Sequence, residues 1–82
     1  MNLISRNVSK ALMDIFRESN MTLEEFSKEV SIRPEHMSKY INQKSTISFD
    51  KGLDIAMDLD CRVKFLQYFK RHMNTEIDYR CM

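Results

Sequence analysis

The segment 34–44, PEHMSKYINQK, separates a row of polar side chains from an apolar stripe. If the segment is helical, Met37, Tyr40 and Ile41 share one side of it. The remaining surface then carries a carboxylate, an ammonium group, an amide, an imidazole and a hydroxyl, which belong to Glu35, Lys39, Asn42, His36 and Ser38. These groups donate or accept hydrogen bonds. We therefore expect these five side chains to be free to meet a binding partner.

Catalysis and metal binding have little support in the rest of the chain. The 2 histidines and 2 cysteines are widely separated and have no CxxC spacing; they are His36, His72, Cys61 and Cys81. Aspartates between 50 and 60 recur along one predicted helix face without a neighbouring histidine or a glycine-bearing loop, which is typical of a solvated surface. No nucleophile, base and orienting group can be assembled at these spacings. The sequence predicts a protein that is not an enzyme, with free thiols and without a metal, cofactor or small-molecule substrate.

Two short helices and a tight turn must position the polar row. Leu23, Phe26 and Val30 give the first helix one apolar face, and Thr22 with Glu25 forms a capping box, so this helix begins at Leu23. Residues 31–33 interrupt the pattern. Pro34 suits the first position of the second helix, because its missing N–H and fixed φ do no harm there. The segment 22–44 is therefore predicted to be a helix-turn-helix.

The stretch EEFSKEVSIRPEHMSKYINQK resembles the Cro and phage-repressor helix-turn-helix family, which is lambda-repressor-like. The resemblance rests on Ile32 after the turn, on the run 37–40, and on Asn42 and Lys44 at the end of the second helix. It covers roughly residues 5 to 60 once flanking helices are included. It implies a DNA-binding transcription regulator.

Three positions depart from the usual family pattern. Ser31 and Gln43 stand where the family usually has glycines, so left-handed backbone at either position would cost about 1 kcal/mol. Arg33 stands where the family usually has a Ser or Thr cap.

The resemblance also implies roles for the polar row. The second helix would enter the major groove with its amino-terminal end nearest the bases. The base-reading residues would be Glu35, His36, Ser38 and Lys39. Glu35 can accept from a cytosine amino group, and Lys39 can donate to guanine O6 and N7. Phosphate contacts from the two ends of the helix would come from Arg33, Asn42 and Lys44.

Further elements flank this motif. A helix over 5–18 is predicted from the apolar spacing of Val8, Leu12, Ile15 and Phe16. Residues 3–4 precede it and could pack against it as a staple or form a short strand. A fourth helix follows Ser48 as its cap. Gly52 within it is expected to permit a close helix crossing. Its broad apolar side is predicted to consist of Phe49, Leu53, Ala56, Met57 and Leu59.

The last third of the chain alternates in a strand-like manner. In CRVKFLQYF, Val63, Phe65 and Phe69 fall on one side, so we predict a strand, with KRHMNT as a turn and EIDYRCM as a second strand of a hairpin. A helix is the competing interpretation, because positions 63, 66, 69 and 73 also fit helical spacing. The three named residues are our candidates for a dimer contact, since an isolated hairpin is marginal in water.

The predicted architecture is mainly α: four to five helices of a lambda-repressor-like domain with a C-terminal β-strand or hairpin. The 82 residues, 43% of them hydrophobic and 30% charged, suit one globular domain, with the helix-turn-helix unit in 1–60 and a dimerisation segment in 61–82. No leader opens the chain and no apolar run approaches the ~20 residues that span a bilayer, so a cytoplasmic location without membrane insertion is expected. The net charge is only +1, but basic residues concentrate in 33–51 and 62–71.

Two functions remain open at this point. The first is a homodimeric repressor of the Cro type that reads a palindromic operator in double-stranded DNA. The second is a protein-binding module similar to the antitoxin half of toxin–antitoxin pairs, in which the aromatic tail 63–79 captures a partner protein.

Overall fold

A computed structural model describes the backbone of residues 2–81 and the side chains of residues 2–75. The described chain folds into five helices, which are α1 (Leu3–Ser19), α2 (Leu23–Glu29), α3 (Pro34–Ile41), α4 (Phe49–Asp58) and α5 (Arg62–Cys81). α5 packs along α1, α4 closes over both, and the α2–α3 pair packs on α1. The expectation of a mainly helical small domain is confirmed.

The strand predicted over 61–70 is wrong, and so is the hairpin. Residues 62–81 form one continuous helix that runs through the supposed turn KRHMNT. Phe65 and Tyr68 are buried at 0% and 9% exposure, and Phe69 packs against the same core. Positions 65, 68 and 69 are neighbours on a helix but not on one face of a strand, so helical geometry buries the three aromatic rings together.

α1 begins two residues earlier than the sequence indicated. Asn2 caps it, because its Oδ1 accepts from the Ser5 N–H at 2.7 Å. Leu3 and Ile4 are therefore helical rather than extended. The predicted stripe is confirmed at Val8, Leu12 and Ile15, which are buried, while Phe16 is half-buried against the core; the helix ends at the left-handed Asn20.

α1 and α5 run antiparallel and are joined by polar contacts along their length. Tyr68 Oη donates to Glu18 Oε1 at 2.5 Å near one end, and His72 Nε2 lies 2.7 Å from Asp14 Oδ2 one turn further on. Closer to the other end, Asn7 Nδ2 donates to Met73 Sδ at 3.0 Å. These contacts set the register of the two longest helices.

Gly52 lies where α4 crosses α1 and α5. A Cβ at this position would be 2.5 Å from Val8 Cγ1 and 2.9 Å from Phe65 Cζ, so the expected close crossing is confirmed. The apolar side of α4 is partly different from the prediction. Met57 is 55% exposed, whereas Ile55 is 1% exposed and belongs to the core. The crossing at Gly52 turns the Ile55–Ala56 edge of the helix inward and leaves Met57 outside.

Left-handed residues follow α2, α3 and α4. Ser31, Gln43 and Asp60 have φ of 55°, 61° and 54°. The backbone N–H of the residue after each one donates to a carbonyl of the preceding helix. These hydrogen bonds join Ile32 to Ser27 at 3.1 Å, Lys44 to Lys39 at 2.8 Å, and Cys61 to Ala56 at 2.9 Å. This is the Schellman arrangement, which usually uses glycine. Ser31 and Gln43, at which the sequence analysis expected a cost for left-handed backbone, thus adopt that geometry with side chains present.

Candidate nucleic-acid interface

The capping box at the start of α2 forms as predicted. The Glu25 N–H donates to Thr22 Oγ1 at 3.2 Å, and the Thr22 N–H donates to Glu25 Oε1 at 3.1 Å. Hydrogen bonds to the Glu25 carboxyl from the Thr22 backbone and from the Thr22 side chain hold the pKa of that carboxyl below its usual value. α2 is anchored by Phe26, which is fully buried, and by Val30 at its end.

The turn into α3 ends at an extended Arg33, with φ −64° and ψ 142°, followed by Pro34 in the first turn. Arg33 makes no side-chain cap to α3. Its guanidinium lies 4.0 Å from Glu35 Oε1, and the two side chains are 79% and 66% exposed. An ion pair this exposed contributes little to stability, so both groups can exchange it for another partner.

Three of the five side chains in the predicted polar row project from α3 into solvent. Met37 and Ile41 are buried at 0% and 5% exposure and hold the helix on the core. Glu35, His36 and Lys39 are exposed on the outer surface. Their carboxylate, imidazole and ammonium groups therefore lie together along the outer surface of one helix.

Ser38 and Asn42 are engaged with each other at the end of α3. Asn42 Nδ2 lies 2.9 Å from the Ser38 carbonyl and 3.3 Å from Ser38 Oγ. Ser38 is half-buried. These contacts tie the last turn of α3 to the residue that follows it, so both side chains stabilise the end of the helix.

The remaining predicted contact residues lie at the two ends of α3. Arg33 precedes the helix, and the exposed Lys44 follows it, with its backbone N–H bonded to the Lys39 carbonyl. A shallow groove beside α3 is lined by His36, Lys39, Tyr40, Ser45 and Thr46. The sequence analysis assigned no role to Ser45 and Thr46, although their hydroxyls follow directly after the basic end of α3.

Acidic residues accompany the basic ones. Exposed Glu24, Glu25 and Glu29 outnumber Lys28 on α2, whereas the cations concentrate on α3 and its ends. Within the α2–α3 unit, attraction for a polyanion therefore comes from α3 and its ends, and the α2 surface opposes it.

The candidate dimer residues do not share a surface. Val63 is 66% exposed, Phe69 is half-buried, and Phe65 is fully buried between α4 and α5. Phe65 cannot touch a second subunit in this structure, because its ring fills the chain's own core. The exposed apolar residues near Val63 are instead Met57 and Leu66.

Among the described residues, no group of three or more His, Cys, Asp and Glu side chains is close enough to hold a metal ion. Burial raises the pKa of the half-buried Cys61 thiol. Over the same part of the chain, every helix is too short or too polar to cross a bilayer. No protein-family model, curated protein or solved structure matches this chain.

Proposed function

We propose that this chain is a small DNA-binding transcription regulator with a lambda-repressor-like helix-turn-helix, in which α2 crosses the DNA backbone and α3 is the recognition helix. One observation carries the proposal: α3 is anchored in the core by Met37 and Ile41 while Glu35, His36 and Lys39 project from its outer surface. A helix of this kind fits the major groove of B-DNA.

The chemistry of the outer surface suits base reading. Lys39 can donate to guanine O6 and N7, and Glu35 can accept from the cytosine amino group. Arg33 and Lys44, at opposite ends of α3, suit phosphate contacts that fix the register without selecting sequence. Asn42 and Ser38 support these contacts by holding the end of α3.

The protein would act as a homodimer on a palindromic operator. Two recognition helices about 34 Å apart would read half-sites one helical turn of DNA apart. The balance of charge on α2 and α3 predicts weak non-specific binding, because few phosphates are neutralised.

Fluorescence anisotropy tests the proposal. The duplex is taken from just upstream of the protein's own gene, and a scrambled duplex is compared with it at low and moderate salt. We expect Lys39→Ala to cost about 1 to 3 kcal/mol on the upstream duplex selectively, and Lys44→Ala to weaken both duplexes and reduce the salt slope.

Lys70→Ala, which removes the same charge from an exposed position on α5, is the matched control and should change neither affinity. A wild-type protein that binds both duplexes equally, with no effect of Lys39→Ala, would refute the DNA-reading role.

A second candidate, capture of a partner protein, is supported by the exposed apolar residues Met57, Val63 and Leu66 at the junction of α4 and α5. Co-expression with the products of neighbouring genes, followed by mass measurement of the purified complex, separates this function from the first.

A further inference from the structure

A polar recess lies where α1, the end of α3 and α5 meet, away from the outer surface of α3. Its volume is about 310 Å³. Sites for small ligands occupy ~300–1,000 Å³, so this recess suits a small group. Its polar lining consists of Lys10, Asp14, Arg17, Asn42, Gln43 and His72.

α1 supplies three charged side chains to one wall of the recess. Lys10, Asp14 and Arg17 are at offsets of zero, four and seven, which places them on one face of the helix. Lys10 and Arg17 are about 10 Å apart along the helix axis, so their long side chains can converge on a group between them. The two cations outnumber the carboxylate, so this wall attracts an anion.

The carboxylate on this wall is already engaged by α5. Asp14 Oδ2 lies 2.7 Å from His72 Nε2, and the two side chains are 29% and 24% exposed. Arg17 is exposed, and none of the side chains described in this chain pairs with its guanidinium. The Arg17 guanidinium can therefore bind an anion without giving up a contact within the fold.

The end of α3 adds a neutral donor to the recess. Asn42 Nδ2 is bonded to the Ser38 carbonyl and is not available. The exposed Gln43 amide has no hydrogen-bond partner within the described part of the chain. A guanidinium fork, an ammonium group and an amide N–H together match the several acceptor oxygens of a phosphate.

We propose that this recess binds a phosphate group, with Arg17 as the main donor and Lys10 and Gln43 beside it. The phosphate belongs either to a free phosphorylated small molecule or to the backbone of bound DNA. The first source is independent of DNA reading, whereas the second rests on the proposed function. Because Gln43 follows the cap of α3, a phosphate bound here also ties the end of that helix to α1.

An NMR titration of the full chain with inorganic phosphate, at constant ionic strength set by chloride, tests the site. We expect saturable shifts in the backbone amides of residues 10–17 and 42–43. Arg17→Ala should raise the phosphate dissociation constant by about tenfold, because it removes a charged hydrogen-bond donor. Arg62→Ala removes the same charge from an exposed position on α5 outside the recess, so this matched control should leave the constant unchanged.

Asp14→Asn separates binding by charge from an indirect structural effect. The substitution keeps the size of the side chain and removes its negative charge from the wall of the recess. Phosphate binding should therefore become several-fold tighter, because a repulsion is lost. A damaged site would bind phosphate more weakly instead. Circular dichroism of each variant establishes that it is folded.

Fluorescence anisotropy in phosphate-free buffer identifies the source of the phosphate. If DNA supplies it, Arg17→Ala should weaken the upstream and scrambled duplexes alike and reduce the salt slope by about 1. Phosphate binding by the chain with unchanged DNA affinity of Arg17→Ala assigns the site to a free phosphorylated small molecule.

Two results would overturn the phosphate site. One is the absence of saturable phosphate shifts together with unchanged DNA affinity of Arg17→Ala. The other is equal weakening of phosphate binding by Arg17→Ala and Arg62→Ala, which would mean that only the overall charge matters. A chain that binds phosphate at the recess but shows no DNA preference supports the site and refutes the proposed function alone.

Discussion

Gly52→Ala should change the free energy of unfolding through two opposing effects, helix propensity and steric overlap, and the contacts around Gly52 decide which is larger. Alanine stabilises a helix interior by about 1 kcal/mol relative to glycine. The new methyl group would lie 2.5 Å from Val8 Cγ1 and 2.9 Å from Phe65 Cζ, well inside the ~3.5 to 4.0 Å at which carbon atoms attract. Helix propensity alone therefore predicts stabilisation, and packing predicts the reverse.

Neither neighbour can move away at low cost. Val8 and Phe65 are both fully buried, and the Phe65 ring is packed against Phe49 at a centroid distance of 5.7 Å. Val8 is β-branched on a helix and keeps one preferred rotamer. Overpacking of this kind costs about 1 to 3 kcal/mol, and two rigid contacts place it near the upper end. After the propensity gain, Gly52→Ala should lower the free energy of unfolding by about 2 kcal/mol.

Urea denaturation of the four members of a double-mutant cycle measures this effect. Val8→Ala removes Cγ1, and alone it should cost about 2 kcal/mol through lost burial and a cavity. The double variant Val8→Ala with Gly52→Ala should be more stable than the sum of the single changes predicts, by about 1 kcal/mol or more, because the added methyl enters the vacated space. Stabilisation by Gly52→Ala, or strict additivity, would refute the close crossing.

Further predictions concern the left-handed caps and the Tyr68–Glu18 hydrogen bond. Ser31→Gly and Gln43→Gly should each raise the free energy of unfolding by about 0.5 to 1 kcal/mol in urea titrations. The reason is that relief of left-handed strain exceeds the entropy that glycine adds to the unfolded chain. Ser31→Ala, which keeps a Cβ at this position, should not raise the free energy of unfolding. The hydrogen bond from Tyr68 is the main cause of the lowered pKa of Glu18, so Tyr68→Phe should move that pKa up toward its usual value in an NMR titration of the carboxyl carbon. A lowered folded-state pKa means that the ionised Glu18 stabilises the fold above its unfolded-state pKa, and that this contribution is lost as pH falls through the folded-state pKa. Tyr68→Phe should therefore reduce the acid-side loss of stability, and an unchanged Glu18 titration would contradict this hydrogen bond.

The α2–α3 unit could be predicted from the sequence because its signals are local. Thr22 and Glu25 are three residues apart and satisfy each other's backbone donors, and Pro34 specifies a helix start through its own ring. The apolar spacing of Met37 and Ile41 then determines which side of α3 is free. The exposed row of Glu35, His36 and Lys39 follows from this short-range periodicity, although its DNA-reading role stays a prediction.

α5 shows where local signals were insufficient. Alternation at Val63, Phe65 and Phe69 is compatible with a strand, and the spacing of positions 63, 66, 69 and 73 is compatible with a helix. Packing made the choice, because a helix lets Phe65, Tyr68 and Phe69 reach α1 and α4 together. The same packing buries Phe65 and removes it from any surface contact.

The sequence by itself determined the number of the first four helices, the starts of α2, α3 and α4, the capping of α2, the free side of α3 and the need for a close approach at Gly52. Each of these depends on residues within a turn or two of one another. Only the tertiary structure decided that residues 62–81 are helical and that Met57 lies outside while Ile55 lies in the core. It also brought Met57 and Val63 into one surface. Those outcomes depend on which helices meet and at what crossing, and no short stretch of the chain contains that information.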